Sequence, residues 1–265
     1  MSADNFMGWQ NPGVALITGS SSGIGAEFAH QLAEQGFDLV LVARREQRLK
    51  SIASNLQQKY SINCEILVAD LANLSENNRV IEKISTLENL DILINNAGFG
   101  IMKPFLDIER QKHIEMINVH FTSPVMLTHA AIPIMKKRKR GVIINTSSRD
   151  AIIRDPTLIM YTTTKTAVSV FSELIQRILK GTGIYIQALH PGFTYTEFHD
   201  TSTMSGFNRE STPGEMWMTP KEVVSLSLNA VKTKKVIFIP GEKVQQAAIK
   251  NRKMKIRKYS NCEII

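Results

Sequence analysis

The sequence predicts a single doubly wound α/β domain, a seven-stranded parallel sheet with helices on both faces. Three observations carry that expectation. Seven short apolar runs recur along the chain, segments of helical periodicity separate them, and a glycine-rich turn joins the first run to the first helical segment.

The first run, residues 14–18, reads Val-Ala-Leu-Ile-Thr, and residues 39–43, 65–69, 92–95, 142–145, 184–189 and 236–239 repeat its character. These runs are β-branched and leucine-rich without polar alternation, as strands covered on both faces are. Residues 26–35 and 45–60 carry apolar positions at helical spacing, with Gly36 and Ser61 beside their ends as stop signals. Strand and helix therefore alternate. Crossovers between parallel strands are right-handed, which gives the doubly wound arrangement. No linker rich in Pro, Gly or Ser divides the chain, and no repeat or low-complexity segment appears. Residues 1–265 are thus expected to form one domain, with a motif-bearing core over about 14–240 and a basic tail over 241–265. Residues 194–219 differ, mixing Thr, Ser, Gly and Met with Pro213 and Trp217. A connection of that length inside a compact domain reads as a lid or binding loop.

Apolar residues make up 43% of the chain and charged residues 21%, ordinary globular proportions that argue against disorder, a collagen-like repeat or a disulfide scaffold. Cys64 reads as core and Cys262 as incidental, since neither has a partner at metal-ligand spacing. Residues 1–13 lack the basic and apolar regions of a secretory signal, and no run of about 18 apolar residues occurs, so a soluble, cytoplasmic protein is expected. The formal net charge of +8 suggests nucleic acid until it is located. Residues 136–140 (KKRKR) and 250–258 (KNRKMKIRK) hold 11 of the 32 basic residues and no acidic one, leaving 21 basic against 24 acidic elsewhere. The two runs are expected to be a solvated loop and a mobile tail. Weak contact of the tail with an anionic membrane surface is a lesser reading, and nucleic-acid binding is not expected.

The turn Thr18-Gly19-Ser20-Ser21-Ser22-Gly23-Ile24-Gly25 follows the first strand and opens the first helix, the context a dinucleotide site requires. Gly19 suits a tight turn, Gly23 lets the backbone approach a pyrophosphate, and Gly25 lets helix and sheet pack closely. Three residues separate the first two glycines, unlike the usual G-x-G-x-x-G, so on glycines alone a plain flexible turn competes. Further along stand Asn95-Asn96-Ala97-Gly98 after the fourth run, Ser148 beyond the fifth, Tyr161-Thr162-Thr163-Thr164-Lys165, and Pro191-Gly192 after the sixth. In that order and spacing these motifs resemble the short-chain dehydrogenase/reductase family over residues 14–240.

The resemblance implies a Rossmann-type sheet with a nicotinamide cofactor across the carboxyl ends of its strands. It implies cofactor contacts from Gly19, Ser21, Ser22, Gly23, Ile24 and Gly25 in the turn, and from Asp70 and Leu71 beside the adenine. Asn95, Ala97 and Gly98 would serve the adenosine side and its supporting strand. Pro191, Gly192, Thr194 and Thr196 would reach the pyrophosphate or carboxamide, and Tyr161 and Lys165 the nicotinamide end. After the second run the chain reads Val42-Ala43-Arg44-Arg45, with no acid at the strand end. A carboxylate there would suit the ribose of NAD, whereas the guanidinium of Arg44 suits the 2′-phosphate of NADP(H). A merely solvated helix start is the competing reading of Arg44, Arg45 and Arg48.

Carbonyl reduction needs hydride at carbon and a proton at oxygen, and the protein must supply the proton. Tyr161 is the candidate acid. Lys165 lies four residues on, so in a helix the two share a face and the ammonium can stabilise phenolate. The resemblance assigns Ser148, thirteen residues before Tyr161, to the substrate oxygen, and Asn118 to a water that links Lys165 to solvent. The implied proton wire runs from that water through Lys165 and a ribose hydroxyl to Tyr161. Ser147 then reads as a backbone partner or cofactor contact. Two departures stand out: three threonines between Tyr161 and Lys165, where small residues are common, and the charged pair Arg149-Asp150 after Ser148.

His30, His113, His120, His129, His190 and His199 form no compact ligand cluster, and no G-x-S-x-G elbow is present, so no metal site and no hydrolase are expected. Trp9 and Trp217 read as packing, Trp217 with a possible reach to substrate. Met102, Phe105, Phe193, Phe198 and Met204 are candidates for an apolar pocket wall, with core packing the plainer reading. The expected function is NADPH-dependent interconversion of a ketone and a secondary alcohol on a small substrate, with lipid-like, steroid-like and acyl-thioester molecules among the candidates. The alternative is a non-catalytic NADPH-binding sensor or scaffold with the same fold. The resemblance also implies a homodimer or homotetramer.

Overall fold

Strand and helix alternate as the apolar runs require. In chain order the elements are β1 (Val14–Thr18), α1 (Gly23–Glu34), β2 (Asp38–Ala43), α2 (Glu46–Tyr60), β3 (Cys64–Val68), α3 (Leu74–Ser85) and β4 (Leu90–Asn95). They continue through α4 (Arg110–Ile117), α5 (Ser123–Arg138), β5 (Gly141–Thr146), a short α6 (Asp150–Ile153), α7 (Ile159–Ile178) and β6 (Ile184–Leu189). The chain ends with β7 (Phe193–Thr194), β8 (Trp217–Met218), α8 (Pro220–Lys232), β9 (Ile237–Phe238) and α9 (Glu242–Ser260). This computed structural model describes residues 6–154 and 156–260, with side chains as far as residue 254.

All seven strands of the main sheet pair in parallel, in the order β3-β2-β1-β4-β5-β6-β9. Sequence order reverses between β1 and β4, which opens a crevice at the carboxyl ends of the strands. Alternate residues of each strand feed two cores. Ala15, Ile17 and Leu41 pack under α1, α2 and α8 with Phe28, Leu32, Leu49 and Val224. Val14, Leu16 and Leu93 pack on the other face with Val80, Leu127 and Leu179. Local signals agree with the boundaries. Asn73 caps α3 by accepting from the Ser75 N–H, and Thr219 and Glu222 form a reciprocal capping box at α8.

The run 136–140 is not a simple solvated loop. It ends α5, and two of its arginines turn inward to Asp91, which is fully buried at the amino end of β4. Asp91 accepts hydrogen bonds from Gly13 N–H at 2.8 Å, Arg138 Nε at 2.9 Å and Arg140 Nη2 at 2.6 Å. The second basic run is helical as far as it is described. It lies in α9, whose Val244 and Ala248, one turn apart, pack with Ile239 against Ile152, Ile153 and Met216. Cys64 is half-buried, and burial, helped by Asp38, pushes its thiol up to about 12, so it stays an unreactive thiol at neutral pH. Cys262 lies outside the described residues.

Candidate active site

A cleft of about 620 Å³ lies along the crevice between β1 and β4. Its floor begins with the turn after β1. Gly19 adopts φ +67°, and a Cβ there would stand 2.8 Å from Ala97 Cα, so only glycine lets this turn lie against the Asn-Asn-Ala-Gly segment. At Gly25 a Cβ would meet the Gly19 carbonyl oxygen at 2.3 Å. Gly25 is therefore a packing glycine behind the cleft, whereas Gly19, Ser21, Ser22, Gly23 and Ile24 line it. Thr18 Oγ1 ties the turn down by accepting from Asn96 N–H and Ala97 N–H. The amino end of α1 thus faces the cleft with free N–H donors, a cradle that fits a pyrophosphate.

At the far end of the cleft stand Arg44, Asp70 and Leu71. The Arg44 guanidinium is 3.7 Å from the Asp70 carboxylate and is largely exposed. Its neighbours reach elsewhere: Arg45 donates to Ser21 Oγ and Ser22 Oγ, and both Arg45 and Arg48 pair with Glu197, Arg48 at 2.7 Å. Burial pushes Glu197 up, but hydrogen bonds from Arg48, Ser22 and Arg45 outweigh it and hold the carboxyl at about 2. Of the three arginines, Arg44 is left facing the open end.

Ser148, Tyr161 and Lys165 share the opposite wall with Pro191, Gly192, Thr194 and Thr196. Tyr161 and Lys165 project from the first turns of α7, and Ser148 from the end of β5 and the loop after it. Ser148 and Tyr161 share a side-chain hydrogen bond. Burial and the nearby Asp150 carboxylate raise the Tyr161 phenol above its ordinary range, and the Ser148 bond pulls back only part of that. Lys165 Nζ donates to the Thr146 carbonyl at 2.7 Å and lies 5.8 Å from the centre of the Tyr161 ring. Burial brings its amine down to about 7. Ser147 donates to the Lys165 carbonyl at 2.7 Å, the backbone partnership open to it from sequence.

Asn118 and Asn95 are not part of the cleft wall. Asn118 opens a π-helical turn, residues Asn118–Thr122, between α4 and α5, and its amide donates to the Ala72 carbonyl at 3.0 Å. The next residue, Val119, is the one that faces the cleft. Asn95 lies beneath the floor, donating to Asn145 Oδ1 at 2.8 Å.

His120, from the same π-turn, is a residue that sequence reasoning missed. It is 1% exposed, and its ring stands edge-on to Tyr161 with centroids 5.5 Å apart. Phe99 N–H donates to Nε2 at 3.1 Å, so the proton sits on Nδ1 and faces Thr164 Oγ1 at 3.0 Å. Burial, then the charge of Lys165, pushes its pKa well below the usual value, which keeps it neutral. The ring therefore bolts the segment after Gly98 to the helix between Tyr161 and Lys165. This also explains one departure, because Thr164 is the buried partner of His120. Replacing His120 by Phe leaves the Phe99 N–H without its acceptor and is expected to cost about 1–3 kcal/mol in denaturant unfolding. His120→Gln, which offers both an acceptor and a donor, is expected to recover part of it.

The charged pair after Ser148 is in the cleft as well. Arg149 stacks over the Phe193 ring at 4.0 Å and stands 3.5 Å from Asp150. The connection 194–219 forms a lid of short 3₁₀ turns, pinned by the pairing of β7 with β8. Trp217 stacks on Phe193 and Tyr195 behind the cleft. The Phe198 ring lies 5.8 Å from Tyr161, and Phe198 and Met204 crowd Gly100 so closely that a Cβ would stand 2.6 Å from the Met204 sulfur. Met102, Phe193, Phe198 and Met204 are wall residues, while Phe105 lines a separate apolar cavity.

Comparison with known proteins agrees with this geometry. A family model described as short chain dehydrogenase matches residues 13–205. Very-long-chain 3-oxoacyl-CoA reductase-A of Danio rerio is 33% identical over 187 residues, covering 69% of this chain and 58% of that protein. The Homo sapiens very-long-chain 3-oxoacyl-CoA reductase is 30% identical over 187 residues, 69% of this chain and 60% of that one. The chain thus spans about 60% of the length of these relatives. Among solved structures, a short-chain dehydrogenase from Sphingobium yanoikuyae in complex with NADPH superposes with a TM-score of 0.81 at 29% identity, covering 95% of this chain and 96% of that one. A bulky-bulky ketone specific alcohol dehydrogenase from Comamonas testosteroni gives 0.78 at 27% identity, covering 97% and 96%. A Burkholderia phymatum protein in complex with NAD, at 19% identity and a TM-score of 0.82, shares the fold.

Proposed function

The chain belongs to the short-chain dehydrogenase family, and from that premise we propose that it is an NADPH-dependent carbonyl reductase with Tyr161 as its proton donor. The observation that carries the reading is the cleft itself, in which Ser148, Tyr161 and Lys165 share one space with the glycine turn and Arg44. NADPH, when bound, supplies the hydride. The turn of Gly19, Ser21, Ser22, Gly23 and Ile24 holds the pyrophosphate, and Arg44 the 2′-phosphate, with Asp70, Leu71, Ala97 and Gly98 beside the adenosine.

Ser148 hydrogen-bonds the substrate oxygen and holds it against the Tyr161 phenol. Because burial and Asp150 keep that phenol protonated, it is poised as an acid, and proton transfer to the developing alkoxide completes the reduction. Lys165, anchored on the Thr146 carbonyl, is the adjacent group that titrates near neutrality and can return the proton. Asn118 acts behind this wall through its grip on Ala72, setting the bend that delivers Val119 and His120 to the site. A sensor that only bound NADPH would have no use for a buried phenol paired with a serine.

The reading is tested by following NADPH consumption with a panel of ketones and aldehydes, and by the cofactor preference of Arg44→Ala. Loss of a charge-assisted bond to phosphate is expected to weaken NADPH binding roughly 10- to 100-fold and NADH binding far less. Equal weakening of both cofactors would remove Arg44 from the phosphate. The strip of exposed apolar residues Val170, Leu174 and Ile178 on α7 supports assembly into a homodimer or larger homo-oligomer.

A further inference from the structure

A second cavity, of about 400 Å³, opens beside Tyr161. Its walls come from residues 101–108, from Met116 of α4 and from residues 156–161 at the start of α7; no residue of the lid contributes. Ile101, Pro104, Phe105, Met116, Leu158 and Ile159 give it an apolar surface, and among the described residues Lys103 is the one charged side chain on it. It meets the cofactor cleft at Ile101, Met102, Thr157, Leu158 and Tyr161, which line both. The two spaces therefore adjoin at the proton donor.

An apolar cavity of this size holds water poorly, because water there lacks polar partners. Its outer rim also keeps large apolar side chains in solvent: Phe105 is 43% exposed, Ile159 47% and the adjoining Leu106 90%. Rim and walls together present a surface that gains from covering by an apolar ligand. Continuity with Tyr161 says which ligand, since a molecule whose reacting oxygen sits at the phenol has this cavity directly in front of one of its two carbon substituents.

We propose that this cavity binds an extended, unbranched alkyl arm of the substrate ketone, making the protein selective for carbonyl compounds with one long apolar chain. The inference rests on the reductase reading for the position of the carbonyl, and on the cavity alone for the chain. At about 30 Å³ for a water-sized group, the volume takes an arm of roughly a dozen methylene groups. The other substituent is left on the lid side, near Arg149 and Phe198. With one arm on each side the carbonyl presents a fixed face, so a single enantiomer of the alcohol is expected.

The test is equilibrium binding of 2-butanone, 2-hexanone, 2-octanone and 2-decanone to the NADP⁺-saturated protein by titration calorimetry, alongside turnover of the same ketones with NADPH. Each added methylene is expected to tighten binding by up to about fourfold until the cavity fills. Ile159→Trp, at the half-exposed rim where folding tolerates a larger ring, is expected to flatten that dependence, and Phe105→Asp to do the same by charging the entrance. Binding that ignores chain length in the native protein, or a slope untouched by both variants, overturns the alkyl site. Chain-length-dependent binding without turnover of any ketone would instead overturn the reductase reading and leave the alkyl site standing.

Discussion

Tyr161→Phe is expected to lower kcat for ketone reduction by about 10²- to 10⁴-fold, the usual worth of a positioned general acid. The substitution removes one oxygen and keeps the ring that packs between His120 and Phe198. NADPH affinity is therefore expected to stay within a few-fold, as a fluorescence titration would show. The pH dependence carries the same signature. A phenol raised by burial and by Asp150 remains protonated throughout the neutral range, so any fall in reduction near pH 7 is expected to report Lys165, whose amine burial brings down to about 7, and not Tyr161. Oxidation of the alcohol needs the phenolate and is expected to climb with pH. Near-normal turnover in Tyr161→Phe would remove the phenol from the chemistry.

Asp91→Ala is expected to cost about 3–5 kcal/mol of stability, a large part of what holds a domain together. Asp91 is fully buried, and its carboxylate answers two guanidinium groups and the Gly13 N–H together. Removing it leaves both arginines facing an apolar strand end, and the partly exposed Arg138 and Arg140 must find water instead. Chemical denaturation measures the loss. Activity per folded molecule is expected to persist, because Asp91 lies at the amino end of β4 and the cleft at the carboxyl ends. A loss below about 1 kcal/mol would mean that the cluster behaves as an ordinary surface pair.

The sheet was legible because buried parallel strands cannot alternate polar and apolar residues, and all seven predicted runs are strands of the main sheet. The family resemblance singled out the glycine turn, Ser148, Tyr161 and Lys165, and the fold brings all of them to one cleft. His120 was not legible. Its partners Phe99 and Thr164 are 21 and 44 residues away, and a lone histidine in a helical segment gives no sign of the fold that brings them in. Its nearest signal was the row of threonines, of which Thr164 is the partner of His120. The inward turn of Arg138 and Arg140 was hidden for a similar reason. In sequence they belong to a run of cations, and only the return of β4 beside β5 sets Asp91 before them. In α9 the dense lysines and arginines masked the pair Val244 and Ala248, too few to reveal a docked helix.

The pairing of Phe193–Thr194 with Trp217–Met218 has a consequence for how this molecule could diversify. It fastens the two ends of the intervening segment to each other, so that segment is a closed purse whose neck stays fixed whatever its contents. Lengthening such a loop costs little conformational entropy, on the order of 0.6 kcal/mol per doubling. Residues between Tyr195 and Met216 can thus be exchanged or extended with the neck intact, reshaping what the mouth admits while the phenol and the turn that faces it stay where they are.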